Sequence, residues 1–204
     1  MDFNQLASKE TVEKTKAALE ANGFNVILAE NAQQAKAKAL ELIPKGSEVM
    51  TMTSITNQQI GLDQELNESG NYNPVRSKLY DQTTPPREKK RLGAAPEIAV
   101  GSVHAITEDG KIIVASNTGS QLGAYTYGAD KVIWVASTQK IVSNLEAGFT
   151  RIREHIFPLE SERARKAYGL PDTFNTFDSK KVIFQREVTK DRIYIILVSE
   201  ILGF

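Results

Sequence analysis

Between Pro96 and Ala136 three short apolar runs follow one another, and each stops at small or polar residues. Ile98-Ala99-Val100 ends at Gly101. Residues 111–115, entered through the Glu108-Asp109-Gly110 turn, end in Ser116-Asn117-Thr118-Gly119-Ser120, and residues 132–136 form the third run. Short β-branched runs of this kind read as buried strands that deliver loops to one edge of a sheet. That edge is where open α/β sheets place ligands.

The flanking sequence carries the rhythm such a sheet needs. Ser8 caps a helix with Val12, Lys16 and Leu19 at helical spacing, stopped by Asn22-Gly23. A strand over 24–28 follows, then a helix over 32–42 that Asn31 caps and Pro44 and Gly46 end. Residues 48–53 read as a second strand. Ser54 or Thr56 caps the next helix, which runs through Ile60 and Leu66 to Gly70. This β-α-β-α order implies parallel strands with right-handed crossovers. Residues 71–95 interrupt it with turn signals and one helix from Pro86 to about residue 94; the basic cluster Arg87, Lys89, Lys90 and Arg91 could serve an anionic partner, although a solvated helix face is the readier account.

Beyond the central stretch, Ser143 caps a helix with the stripe Leu145, Phe149, Ile152 and Ile156, ended by Pro158. A shorter helix spans 161–168, and 169–179 is a loop. Residues 181–188 and 192–199 read as an antiparallel hairpin about Thr189-Lys190-Asp191. The second arm is apolar on both faces and so should be buried. The expected fold is one α/β domain over residues 1–204. It has a Rossmann-like, mostly parallel sheet with helices on both faces, plus a C-terminal antiparallel hairpin.

Composition removes several function classes. Lys plus Arg and Asp plus Glu number 25 each, so no global field favours nucleic acid or an anionic membrane. The absence of cysteine excludes disulfides, thiolate nucleophiles and cysteine-ligated metal centres. No apolar run approaches the roughly 20 residues that span a bilayer, and MDFNQLASKETVEK lacks the pattern of a signal peptide. A cytoplasmic protein is expected.

Candidate chemistry gathers at the strand ends. Asn117, Thr118, Gly119, Ser120 and Gly123 lie between a strand and a helix expected over 119–127, where small residues and free N–H groups suit a phosphate or carboxylate. The loop matches neither the dinucleotide fingerprint nor the Walker loop, and a plain tight turn fits it equally well. Thr51, Thr53, Ser54, Thr56 and Asn57 could hydrogen-bond a ligand, although capping already accounts for Ser54 or Thr56. Glu108 could serve as base or covalent nucleophile, or simply sit in an exposed turn with Asp109. His104, on a short helix over 102–107, would approach that turn as an acid–base group. His155 suits a helix C-terminus, and two histidines do not make a catalytic zinc site, so no metal is expected. Trp134 reads as core. No cofactor follows from these residues.

The segments GSEVMTMTSITNQQIGL, VGSVHAITEDGKIIVAS, DKVIWVASTQKIVSNLEAGFTRIREHIFPLESERA and RIYIILVSEILGF stand in the order seen in LUD (lactate-utilisation) domain proteins of the LutC type. The chain resembles that family over nearly its whole length, most specifically at Lys140 to Ala147 and in the closing Leu202-Gly203-Phe204. The resemblance implies a fold similar to ribose-5-phosphate isomerase, glucosamine-6-phosphate deaminase and CoA-transferases. It also implies a part in lactate oxidation beside iron–sulfur partner subunits, without assigning catalysis to this domain. Such relatives often read alanine-glutamate-threonine-glycine where this chain has Thr107-Glu108-Asp109-Gly110. Several carry clustered cysteines where it reads YGLPDTFNTFDSKK, so any metal or redox role of those cysteines is absent. Two functions are expected from this reading. One is binding of a small anionic metabolite or phosphate-bearing cofactor at the central loop, with Glu108 facing the Gly119-Ser120 amides. The other is a non-catalytic assembly role in which the final arm and Ile201-Leu202-Phe204 cover a partner or a second copy in a homo-oligomer.

Overall fold

The structure is a computed structural model and describes residues 3–204. Local signals place the first elements as expected. Ser8 Oγ accepts the Thr11 N–H at the start of α1 (Lys9–Ala21), and Asn31 accepts that of Gln34 at the start of α2 (Ala32–Glu41). Between and after them run β1 (Asn25–Ala29) and β2 (Glu48–Thr51). The helix expected through Leu66 is two helices, α3 (Ile55–Gln59) and α4 (Leu62–Glu68), because Gly61 turns left-handed at φ 67° between them. The turn-rich segment holds two elements without a sequence signal, β3 (Asn73–Pro74) and α5 (Val75–Tyr80), before the expected α6 (Pro86–Ala94).

The central stretch supplies β4 (Ile98–Gly101), β5 (Ala105–Thr107), β6 (Ile112–Ser116) and β7 (Lys131–Ser137). It is followed by β8 (Ile141–Val142), α7 (Leu145–Arg151), α8 (Phe157–Tyr168), β9 (Lys180–Phe184) and β10 (Ile193–Val198). A six-stranded, all-parallel sheet has the order β1-β10-β7-β4-β2-β3, and a second sheet has the order β8-β5-β6-β9. Strand alternation then builds the layers. Ile133, Val135, Ile196 and Val198 face Ala35 and Ala39 of α2 and Leu62 and Leu66 of α4. Val132, Trp134, Ala136 and Ile195 face Leu19 of α1 and the second sheet's Ile106, Ile112, Val114 and Phe184. The outer face of that second sheet, Ala105, Ile113 and Ala115, packs on Ala147, Ile152 and Ile156. The mostly parallel α/β sheet with helices is as expected; the second sheet is an addition.

Four expectations are corrected. The C-terminal hairpin does not form: β9 runs antiparallel to β6 in the small sheet, while β10 lies between β1 and β7 in the parallel one. An arm apolar on both faces belongs inside a sheet, and two parallel neighbours bury it more completely than a hairpin partner could. Residues 189–191 therefore turn between sheets, with Asp191 at φ 58°. No helix spans 102–107, where the chain passes through His104 into β5. Asn144, not Ser143, caps α7, and Pro158 does not end the helix. Residues 152–156 form a π turn, so the hydrogen-bond ladder slips just before the proline and its missing N–H leaves no gap. The helix continues to Gly169, whose φ of 62° closes it.

The final arm spends its apolar side chains inside this chain: all of β10 except Tyr194 is buried, as is Leu202. Ile201 is left half-exposed. No helix among the described residues is long and apolar enough to cross a membrane.

Candidate functional site

The C-terminal ends of β2, β4 and β7 share one edge of the parallel sheet, and the end of β6 rises beside them. They open into a cleft of about 360 Å³. Thr53, Ser54 and Thr56 enter from β2, Ser102 to His104 from β4, Ser116 to Ser120 (Gly119 excepted) with Gln121 from β6, and Lys140 from the turn after β7. Helix α8 supplies Phe157, Glu160, Arg163 and Tyr168, and Gly203 and Phe204 close one end.

Of the residues singled out in the sequence, Thr53, Ser54, His104, Asn117, Thr118 and Ser120 line this cleft. Gly119 and Gly123 do not. The Gly119 N–H donates to Ser116 Oγ at 2.8 Å and that of Ser120 to Thr118 Oγ1 at 3.3 Å, so these amides close their own turn. Gly123 allows close packing on Ala94, which a Cβ there would meet at 3.3 Å. Glu108 is also elsewhere: its N–H bonds Val142 O, and its carboxylate accepts from Lys14 Nζ of α1 at 2.8 Å. Asp109 is held by Thr107 and Lys111. The structure thus does not bring Glu108 to the Gly119 loop.

Lys140, which sequence reasoning missed, is the central group. Ser137 caps a short 3-10 turn over Thr138–Lys140 that turns the lysine inward, where it is only 3% exposed. Its Nζ donates to Ser102 Oγ (3.0 Å), Val103 O (3.2 Å) and Thr56 Oγ1 (3.3 Å). Both hydroxyls pass their own protons on, Ser102 to Val135 O and Thr56 to Leu202 O, so each offers the lysine a lone pair. No carboxylate among the described residues forms an ion pair with it. Burial, and secondarily the charge of Arg151, lower its pKa to about 7.

Its neighbours are also basic. The His104 N–H donates to Ile113 O, and Nδ1 accepts the Ala115 N–H at 3.2 Å, which puts the ring proton of the neutral form on Nε2. Burial, then Lys140 and Arg151, bring the pKa of His104 down to about 3. Buried Arg151 donates to His104 O at 2.7 Å, while Nε and Nη2 have no partner among the described residues. Arg76 holds Thr51 O and Thr53 Oγ1, and Arg163 is paired with Glu160 through two bonds of 2.7 and 2.6 Å. Cationic side chains therefore outnumber the one acidic side chain of the lining, Glu160, among the described residues.

The two most specific segments of the sequence meet here. Gln139 Nε2 donates to Leu202 O and Gly203 O, and Gly203 N–H to Gln59 Oε1. Gly203 sits at φ 64°, and a Cβ on it would run into Thr56 Oγ1, one of the three oxygens around Lys140. Gly203→Ala is expected to lower stability by about 1–3 kcal/mol in denaturant titrations, through left-handed strain and displacement of Thr56.

His104 sets a pH dependence. Its folded pKa lies below its unfolded value, so the unfolded chain binds more protons between about pH 6.5 and 3, and stability falls as the pH drops through that range. Half-buried Asp63, raised to about 6 by desolvation, acts in the opposite direction between its ordinary value and pH 6. The difference between wild type and His104→Gln isolates the histidine. Between pH 6.5 and 4.5 the variant should lose about 2 kcal/mol less than wild type in parallel denaturant titrations.

Comparison with known proteins adds family and fold. The model of the LUD domain family matches residues 12–198. A DUF162 family protein from Deinococcus radiodurans has a similar structure, with a TM-score of 0.56 at 13% identity over 96% of this chain and 100% of that one. Ribose 5-phosphate isomerase from Plasmodium falciparum gives 0.33 at 11% identity over 54% of this chain and 51% of its own. Ribose 5 phosphate isomerase A from Neisseria gonorrhoeae gives 0.36 at 14% identity over 76% of each. No curated protein matches.

Proposed function

This chain belongs to the LUD domain family, and on that premise we propose that its strand-end cleft binds a small anionic metabolite or phosphate-bearing cofactor of lactate or related organic-acid metabolism. One observation carries the reading: Lys140 lines the cleft as a buried amine surrounded by neutral oxygens, without a counter-charge among the described residues. Burying an unpaired charge costs several kcal/mol, and a ligand carboxylate or phosphate supplies what the chain leaves out. Arg76 adds positive potential to the same wall, whereas the charge of Arg163 is matched by Glu160, and the hydroxyls of Thr53, Ser54, Thr118 and Ser120 are suited to orient a polar ligand.

Isothermal titration of the purified protein with lactate, pyruvate, inorganic phosphate, ribose 5-phosphate, CoA and nucleotides tests it. At least one of these anions should bind with saturable heat, and the heat should weaken in Thr53→Val. An absence of heat from all of them at millimolar concentration contradicts the proposal.

A further inference from the structure

We propose that Lys140 condenses with the carbonyl group of a small keto acid or phosphorylated aldehyde to form a Schiff base. The inference rests on the anion-binding reading for the ligand's acidic group and adds a covalent step at the lysine. Three features of the geometry carry it. First, Lys140 is buried yet lines the cleft, and its Nζ is bonded to three other lining residues, so a ligand meets it away from bulk water. Second, no carboxylate among the described residues holds it as an ammonium. Its partners are two hydroxyls and one carbonyl, and a hydroxyl can accept from an ammonium or donate to a neutral amine. The Thr56 hydroxyl, 3.5 Å from Leu202 O, is loosely committed and can make that exchange. Third, the cationic neighbour is Arg151, which disfavours a second positive charge, while Arg76 lines the space for the ligand's acid group. Desolvated lysines beside other cations are the ones that act as nucleophiles on carbonyl compounds. Burial and Arg151 together leave a large part of Lys140 as free amine near neutrality.

The step needs no oxidant or reductant. The amine lone pair adds to the carbonyl carbon, and one N–H proton passes to the carbonyl oxygen to give a carbinolamine. Its hydroxyl takes up the second nitrogen proton and leaves as water while the C=N bond forms. Neutral His104, with its proton on Nε2, lines the same cleft and can hydrogen-bond the carbonyl oxygen.

Reductive trapping tests the proposal. The protein is incubated with pyruvate, ribose 5-phosphate or acetaldehyde, treated with sodium borohydride, digested and mapped by mass spectrometry, with lactate as the probe that has no keto or aldehyde group. The expected result is an adduct on Lys140 from a charged carbonyl probe, at least about tenfold above that on any surface lysine. Lactate should give none, and folded Lys140→Arg should give none at that position. Labelling no higher at Lys140 than at surface lysines with every carbonyl probe overturns the proposal. If pyruvate binds calorimetrically but leaves Lys140 unlabelled, the Schiff base fails and anion binding stands. If acetaldehyde labels Lys140 as well as the charged probes do, condensation stands and the anion-binding reading fails.

Discussion

Lys140→Met is expected to yield a protein that is more stable than wild type and has lost its ligand. The lysine's folded pKa of about 7 lies below its unfolded value near 10.5. Below pH 7 both states carry the proton and the full cost of burying it is present. Between about pH 7 and 10.5 the unfolded chain binds more protons, so stability rises with pH and the cost fades. Near pH 7 that cost is about 4 kcal/mol. Methionine fills a similar volume without charge but leaves Val103 O without its donor, which returns about 1–3 kcal/mol. The net expectation is a gain of roughly 1–3 kcal/mol at pH 6.5, about 2–4 °C in melting temperature per kcal/mol, shrinking towards pH 10. Removal of the buried positive charge should weaken anion binding by at least about thirtyfold. Thermal melts at pH 6.5 and 9.5, with calorimetric titrations of both proteins, check the two halves. A variant less stable than wild type at pH 6.5 would mean that the hydrogen bonds of Lys140 outweigh its desolvation.

Trp134→Ala should have the largest effect on the fold. Trp134 lies at the centre of β7, fully buried, on the face that joins the parallel sheet to the second sheet. Its ring meets Tyr125 edge-on at 5.2 Å and Phe184 at 5.1 Å, so one side chain ties β7 to β9 and to the turn beyond the cleft loop. Truncation leaves a cavity between two sheets that cannot both collapse into it, at a cost of about 3–5 kcal/mol. A fall in melting temperature of roughly 10 °C is expected. Tyr125 also lines the cleft, so ligand affinity should fall with stability. Trp134→Phe should recover most of both. A loss below about 1 kcal/mol for the alanine variant would mean that the sheets are joined chiefly by other contacts.

What the sequence discloses follows the range of the interactions involved. Caps such as Ser8, Asn31 and Ser54 act within three residues, and the helices they start begin where expected. Burial of both faces of β10 was also legible, since six consecutive apolar residues leave no solvent face. Its strand partners were not. Thr189-Lys190-Asp191 has turn chemistry, but turn chemistry does not specify whether the next strand pairs back or crosses to another sheet. Pro158 misled for a similar reason, because the π turn that accommodates it is decided by packing of the long helix on the second sheet.

The candidate site divides along the same line. Thr53, Ser54, Asn117, Thr118 and Ser120 were legible because strand ends carry small polar residues to the ligand edge. Glu108 was drawn to the site by proximity in sequence, yet β5 and β8 direct it towards Lys14. Lys140 was passed over because a lysine is ordinarily at the surface. It becomes the site's principal charge only once β7 ends beneath Ser102 and the C-terminal Leu202-Gly203-Phe204 segment packs beside Thr56. The one local hint was that Lys140 heads the Lys140 to Ala147 segment.

The most direct measurement is the titration of Lys140 itself. Lysine side-chain methylene signals, followed by NMR from pH 5 to 11 and assigned by comparison with Lys140→Arg, report its protonation with and without lactate or phosphate, neither of which offers a carbonyl for condensation. The free protein should show one lysine titrating near pH 7, well below the rest. A bound anion stabilises the ammonium, so its midpoint should move upward on ligand addition while the surface lysines stay in place. Lys140 titrating with the surface lysines, or a low midpoint that no anion moves, would contradict a cleft built to receive a negative charge.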